Sequence, residues 1–172
     1  MLAAVSCVAE IPNPPPDVVK LLPKTGDVKN WEVYPDTLVY ASLDDLTEIY
    51  DGDYQLYTKN GVLDAAQQMY RREEDIATVT THRMTSPEAA RKFYQYWKKS
   101  DKEQDTFKLL KTPAEAYTYT ADGCANGYLY RDKFFVTVMV TAESGDDRTV
   151  AEDFLKKIST AIGELIKPKK QE

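Results

Sequence analysis

The sequence predicts an α+β fold, a single domain with helices packed on an antiparallel β-sheet. Three observations carry that reading. Two runs, Ile76-Ala77-Thr78-Val79-Thr80-Thr81 and Phe134-Phe135-Val136-Thr137-Val138-Met139-Val140, are rich in the β-branched and aromatic residues that suit a pleated sheet. Two other stretches, opening at Ser86-Pro87-Glu88 and at Thr149, place apolar residues at helical spacing. The elements also come in blocks (helix, hairpin, helix, several strands, helix) with no regular strand–helix alternation, which argues for antiparallel neighbours.

Residues 1–25 read as a signal remnant and tether. Met1-Leu2-Ala3-Ala4-Val5-Ser6-Cys7 is a short apolar, small-residue stretch ending in cysteine, and Pro12, Pro14, Pro15 and Pro16 follow it. The first pattern matches the end of a bacterial lipoprotein signal, with Cys7 the lipidated residue. The prolines favour extended polyproline II, a semi-rigid spacer, and Val18-Val19-Lys20-Leu21-Leu22-Pro23 after them reads as a short turn of helix or a segment docked on the domain. The competing reading is an unstructured tail with an incidental cysteine, because no basic residue precedes Cys7.

Residues 26–167 read as the α+β domain. Trp31-Glu32-Val33-Tyr34 and Thr37-Leu38-Val39-Tyr40 form an extended lead-in broken by Pro35. Ser42 followed by Asp45 is a variant capping box, and Leu43, Leu46, Ile49 and Tyr50 continue at helical spacing. Residues 62–72 and 75–84 read as two strands paired as a hairpin across the short acidic link Glu73-Glu74-Asp75, although Ala65-Ala66-Gln67-Gln68 in the first would also suit a helix. Ser86 is an N-cap with Pro87 at the first helical position, and Ala89, Phe93, Tyr96 and Trp97 mark one helix face. Tyr117–Thr120 and Tyr128–Tyr130 read as a hairpin whose loop spans 121–127. Phe134–Val140 is the best central strand. Thr149 and Glu152 make a capping box for a last helix lined by Val150, Phe154, Ile158, Ile162 and Leu165, and residues 168–172 are a charged tail.

Composition excludes several functions. With 22 Lys+Arg against 28 Asp+Glu the formal charge is −6, so no basic face for nucleic acid is expected. No apolar run reaches the ~18 residues of a transmembrane helix. Two cysteines are too few for a disulfide scaffold.

The pieces Leu46, Ile49, Tyr50, Gly52, Leu56 and Tyr57, then Tyr70-Arg71, then Met84-Thr85-Ser86-Pro87-Glu88-Ala89-Ala90 occur in an order and spacing that resembles a family of bacterial domains of unknown function. Members of that family are commonly exported or lipid-anchored. The resemblance covers Trp31 to about Ile166, and it implies an envelope location with no activity attached. The departure is Tyr50-Asp51-Gly52-Asp53-Tyr54, where the family carries Asn-Gly-Gly-Ala.

No catalytic constellation stands out. His82 is the only histidine and lies in a strand, so it reads as a structural residue near a sheet end. Asp44, Asp45, Glu48, Asp51 and Asp53 form an acidic stretch without calcium-loop spacing, which reads as a solvated face. Cys124 has no evident activating partner. Phosphate-binding and dinucleotide-binding motifs are missing, so no cofactor and no metal are expected.

Tyrosine is the compositional oddity, with 12 against 5 Phe. Tyr117, Tyr119, Tyr128 and Tyr130 alternate on paired strands, and Tyr50, Tyr54 and Tyr57 recur at helical spacing. An aromatic body with a polar tip suits recognition. The leading expectation is a non-enzymatic, envelope-associated domain, periplasmic or extracellular, that binds a protein or glycan through this Tyr-rich face. The rivals are a carboxylate-dependent hydrolase using Asp44, Asp45, Asp51 or Asp53, and a structural subunit of an oligomer. A cytoplasmic location is the alternative if Cys7 carries no lipid.

Overall fold

The computed structural model describes residues 11–143 and 145–168. Cys7 and the end of the charged tail lie outside the described residues. The strands are β1 (Glu32–Val33), β2 (Val39–Ser42), β3 (Val62–Arg72), β4 (Asp75–Met84), β5 (Lys108–Leu109), β6 (Glu115–Ala121), β7 (Cys124–Arg131) and β8 (Phe134–Thr141). They form one antiparallel sheet in the order β1-β3-β4-β8-β7-β6-β5, and β2 pairs with another stretch of β3. The helices are α1 (Asp17–Lys20), α2 (Tyr54–Lys59), α3 (Pro87–Asp101) and α4 (Asp147–Leu165), with a 3-10 segment at Leu43–Glu48. The fold is therefore the α+β class expected, with helices on both sides of the sheet.

The sheet splits the core in two. One face packs Ala77, Val79, Leu129, Val136, Val138 and Val140 against Phe154, Leu155, Ile158 and Ile162 of α4, with Val18, Leu21 and Trp31 at one end. The other packs Ala65, Phe135 and Tyr117 against Phe93 and Tyr94 of α3, and Leu46 of the 3-10 segment joins it. Strand alternation produces this division, since neighbouring residues point to opposite faces.

Several local expectations hold and several are corrected. The β3–β4 hairpin has the predicted bounds. Ser86 caps α3, its side chain accepting from the Ala89 N–H at 3.1 Å. Residues 18–23, at the end of the expected tether, take the helical turn and the docking on the domain that the sequence left open. Val18 and Leu21 are buried, the Thr81 hydroxyl donates to the Val18 carbonyl at 2.7 Å, and the Tyr70 hydroxyl donates to the Pro23 carbonyl at 2.8 Å. Residues 17–25 thus belong to the packed domain, because the α4 face needs their apolar side chains at its end.

The expected helix from Ser42 breaks in two. Ser42 makes no side-chain cap bond, and Gly52, at φ +85°, separates the 3-10 segment from α2. The expected 121–127 loop is instead a two-residue turn, Asp122-Gly123, with φ +52° and +77°. Two successive positive φ values give the turn whose twist matches a hairpin, so Cys124, Ala125, Asn126 and Gly127 become strand residues. Thr149 is not the cap of α4, which starts at Asp147. The Asp146 carboxylate before it is held by Arg72 at 2.7 and 2.8 Å.

Candidate functional site

Three cross-strand rows on the α3 face build the site. The first row is Ala65, His82, Phe135, Tyr130 and Glu115, read across β3, β4, β8, β7 and β6. The second, two residues along each strand, is Gln67, Thr80, Thr137, Tyr128 and Tyr117. The third is Met69, Thr78, Met139, Asn126 and Tyr119. α3, α2 and the 3-10 segment close over the first row, where Phe93 packs edge-on to Tyr57 at 5.4 Å and against Phe135 at 4.9 Å. That cover stops at the second row.

The uncovered floor is a groove of about 280 Å³. Ile49, Tyr50 and Tyr57 wall one side and Trp97 and Tyr128 the other, over Gln67, Thr78, Thr80, Asn126, Thr137 and Met139. Among the described residues no ionisable acid or base lines it, apart from the phenols. The Gln67 amide donates to the Thr80 hydroxyl at 3.1 Å. Among the described residues the side chains of Thr78, Thr137 and Asn126 have no hydrogen-bond partner. The indole N–H of Trp97 is buried and likewise unpartnered. A larger depression, about 490 Å³, lies on the solvent side of Trp97 and is lined by Tyr96, Lys99, Ser100, Lys102 and Glu103. It draws on the outer surface of one helix and its following turn, whereas the groove gathers polar groups from β3, β4, β7 and β8.

Beneath the groove wall lies a buried polar chain. The Phe135 carbonyl, 3.0 Å from His82 Nδ1, only accepts, so Nδ1 carries the proton. Nε2 then accepts from the Tyr50 hydroxyl. Burial lowers the His82 pKa to about 4, against the opposing pull of the Phe135 carbonyl. The imidazole is therefore neutral at pH 7 and serves as an acceptor that orients Tyr50. Burial raises the Tyr50 phenol well above its ordinary range, with the neighbouring Tyr57 adding to it. The Tyr50 and Tyr57 rings stack at 3.6 Å. The turn at Gly52 permits this; the continuous helix expected from the 50, 54, 57 spacing does not exist.

The tyrosines divide by role. Tyr117 faces Tyr128 in register, with stacked rings 5.0 Å apart, and Tyr119 stacks on Tyr128 at 6.3 Å. Tyr117 is fully buried and its hydroxyl donates to Asp101 at 2.7 Å, so it supports the platform from beneath. Burial pushes the Asp101 carboxyl up, and Tyr117 partly offsets this. Tyr130 is tied to Glu115 at 2.9 Å, on the covered row. Tyr54, on α2, is half-buried and does not line the groove. Of the seven tyrosines singled out from the sequence, Tyr50, Tyr57 and Tyr128 form groove wall.

Residues offered for other chemistry stand elsewhere. Asp45, Asp51 and Asp53 are exposed and none lines the groove. Cys124 is a free thiol beside the β6–β7 turn, 3.3 Å from the Thr141 hydroxyl. Among the described residues there is no cluster of His, Cys, Asp and Glu fit to hold a metal, and no helix is long and apolar enough to cross a membrane.

Sequence reasoning missed Gln67, Thr78, Thr80, Asn126, Thr137, Met139 and Trp97 as groove residues. A usable signal was present. Thr78 and Thr80 alternate with Ala77 and Val79, and Thr137 and Met139 alternate with Val136, Val138 and Val140. Threonines at alternate positions of two adjacent central strands, with Met139 continuing the alternation on β8, mark a face that is not sealed.

Fold and groove together define an α+β domain with one sealed sheet face and one face left partly open as an uncharged, aromatic-walled recess. Among solved structures, the extracellular domain of PknH from Mycobacterium tuberculosis is similar, with a TM-score of 0.51 at 12% identity over 84% of this chain and 95% of that one. At that identity the likeness is one of fold. A GTP-binding regulator from Thermotoga maritima aligns at 11% identity over 88% of this chain and 93% of that one; its TM-score of 0.43 carries no argument. No family model matches the chain, and no curated protein matches its sequence.

Proposed function

We propose that this protein is a non-catalytic binding domain of the bacterial cell envelope whose site is the groove between α3 and the Tyr50–Tyr57 wall. The observation that carries the reading is the set of unpartnered side chains of Thr78, Asn126 and Thr137 on a sheet face that helices otherwise cover. Polar groups in a recess contribute to binding when a ligand satisfies them. The neutral His82, buried behind Tyr50, supports a positioning role over proton transfer.

The envelope location is supported by the Cys7 and proline pattern, and a lipid on Cys7 would anchor the domain. The intact mass of the native N-terminal peptide tests the anchor, with a diacylglyceryl adduct expected and an unmodified peptide that retains Met1 counting against it.

The binding role is tested by fragment screening with NMR detection on the full chain, using a mixed library of charged and uncharged small molecules. Fragments are expected to shift the Trp97 indole and Met139 methyl resonances. Hits gathered only at the outer face around Tyr96 and Lys102, or no hits at all, would overturn it.

A further inference from the structure

We infer that the groove takes a single ring of an uncharged sugar; the inference rests on the groove being a ligand site and names the class of ligand. Four features of the lining lead there.

The first is charge. Among the described residues neither a lysine, an arginine, an aspartate nor a glutamate lines the groove, and His82 behind it is fully buried and bonded at both nitrogens. A phosphate, carboxylate or ammonium group entering the groove loses its hydration and meets no counter-charge. The second is the chemistry of the floor. The Thr78 and Thr137 hydroxyls each donate and accept, and the Asn126 amide does both, with no partner of their own among the described residues. They sit at two-residue steps on adjacent strands, where Thr78 pairs with Met139, and Met139 with Asn126. A ring carrying several hydroxyls answers such an array, whereas a wholly apolar ring leaves it unsatisfied.

The third feature is the aromatic wall. Trp97 and Tyr128 lie 5.9 Å apart with ring planes inclined by 27°, and both border the groove. The two rings stack on one another, so the pair offers a band of apolar aromatic carbon beside the polar floor, which suits a sugar ring with C–H groups on one side and a hydroxyl rim on the other. The fourth is size and placement. A volume of about 280 Å³ sits below the ~300–1,000 Å³ of common ligand pockets, which suits one ring. An extended peptide recognised by backbone pairing needs an open strand edge. Here the floor strands β4, β8 and β7 are interior to the sheet and each is paired on both sides, and Gln67 of β3 lies between β4 and β2.

The test is an NMR titration of the full chain with glucose, galactose, mannose and N-acetylglucosamine. Glucose 6-phosphate, indole and tetra-alanine serve as comparison probes. At least one neutral sugar is expected to shift the Trp97 indole and Met139 methyl resonances saturably. Glucose 6-phosphate is expected to bind more weakly than glucose. Asn126→Ala combined with Thr137→Val is expected to weaken the sugar about tenfold, the loss expected for about two hydrogen bonds. The near-ultraviolet circular dichroism of that double variant should match the parent, since both positions are half-buried surface.

If indole or tetra-alanine shifts the groove resonances and no neutral sugar does, the sugar inference fails and the binding role stands. Sugar shifts that persist unweakened in the double variant also overturn it. If no probe of any class reaches the groove, both readings fail together.

Discussion

The sheet presents its two faces through the same central strands, and the two faces end in different states. On the α4 side, Ala77, Val79, Ala125, Leu129, Val136, Val138 and Val140 are all at most 2% exposed. α4, 19 residues long, runs across them, and the missing side chain of Gly127 lets Leu155 press onto β7. On the α3 side the alternate positions of these strands are Thr78, Thr80, Asn126, Thr137 and Met139, and Met139 is 47% exposed. α3 and the 3-10 segment cover the row containing His82 and Phe135, α3 also covers Tyr117 at the end of the next row, and the cover goes no further. One face is a core and the other is part core and part recess. The difference teaches that a strand's inward and outward positions answer to different demands, and that polarity on the less covered face marks where the molecule has a free surface to use.

That contrast is open to measurement. The largest effect is expected for Phe154→Ala. Phe154 is fully buried between Trp31, at 5.8 Å, and Tyr70, at 4.9 Å. Its loss is expected to cost ~3–5 kcal/mol in urea unfolding; a cost below ~1 kcal/mol would show that the α4 face is not the tighter of the two.

The next effect comes from acid and belongs to the other face. The His82 pKa is about 6.5 in the unfolded chain and about 4 in the folded one. Between those values the unfolded chain binds the extra proton, so the stability contribution is complete above pH 6.5 and is lost as pH falls towards 4. This amounts to about 2 kcal/mol between pH 7 and pH 5. The measurement is the unfolding free energy at both pH values for the parent and for His82→Gln, whose pH dependence should be shallower by that amount. Equal slopes would mean that His82 is not held neutral.

A smaller loss, about 1 kcal/mol, is expected for Gly127→Ala, at the low end of overpacking costs. A Cβ there would meet Leu155 Cδ1 at 2.8 Å and Thr118 Cγ2 at 3.4 Å. The end of the Leu155 side chain can yield, which keeps the loss modest, and a thermal melt reads it directly. An unchanged melting temperature would show slack in the α4 packing.

The smallest effects sharpen the comparison most. Thr137→Ala and Met139→Ala, both on the recess floor, should each change stability by less than about 0.5 kcal/mol. A loss of 2 kcal/mol at either would mean that the floor is part of the core.

Much of the fold was legible before any coordinates. β4 follows from a run of β-branched residues, while β3, whose Ala65-Ala66-Gln67-Gln68 also suits a helix, rests on the short acidic link that pairs it with β4; α3 follows from Ser86 and Pro87, which act on the backbone within one turn. The Tyr117–Tyr128 pairing was legible in outline, because alternation puts both residues on one face. What failed depended on partners far along the chain. For Val18 and Leu21 the sequence left a helical turn or a docked segment open, because four helical residues have no stability of their own; the end of the α4 face orders them. Tyr50 and Tyr57 satisfied a helical spacing, yet Gly52 adopts a left-handed conformation and they meet as a stacked pair. Thr149 satisfied a capping pattern, but α4 begins two residues earlier, after an Asp146 whose carboxylate is held by Arg72.

The candidate site was legible only in part. Tyr50, Tyr57 and Tyr128 were found through their abundance and spacing, while Thr78, Asn126 and Thr137 were not, since a threonine in a strand is ordinary in itself. Asn126 entered the floor because Asp122-Gly123 closes the hairpin in two residues and extends β7 back to Cys124.

By itself, the sequence determined what acts over a few residues: strand alternation, the Ser86 cap and the Asp-Gly turn chemistry. Only the tertiary structure decided which side of the sheet is sealed. That outcome depends on how far α3 and α4 reach across strands that are distant in the chain, and a helix's reach over a sheet is set by packing between remote residues.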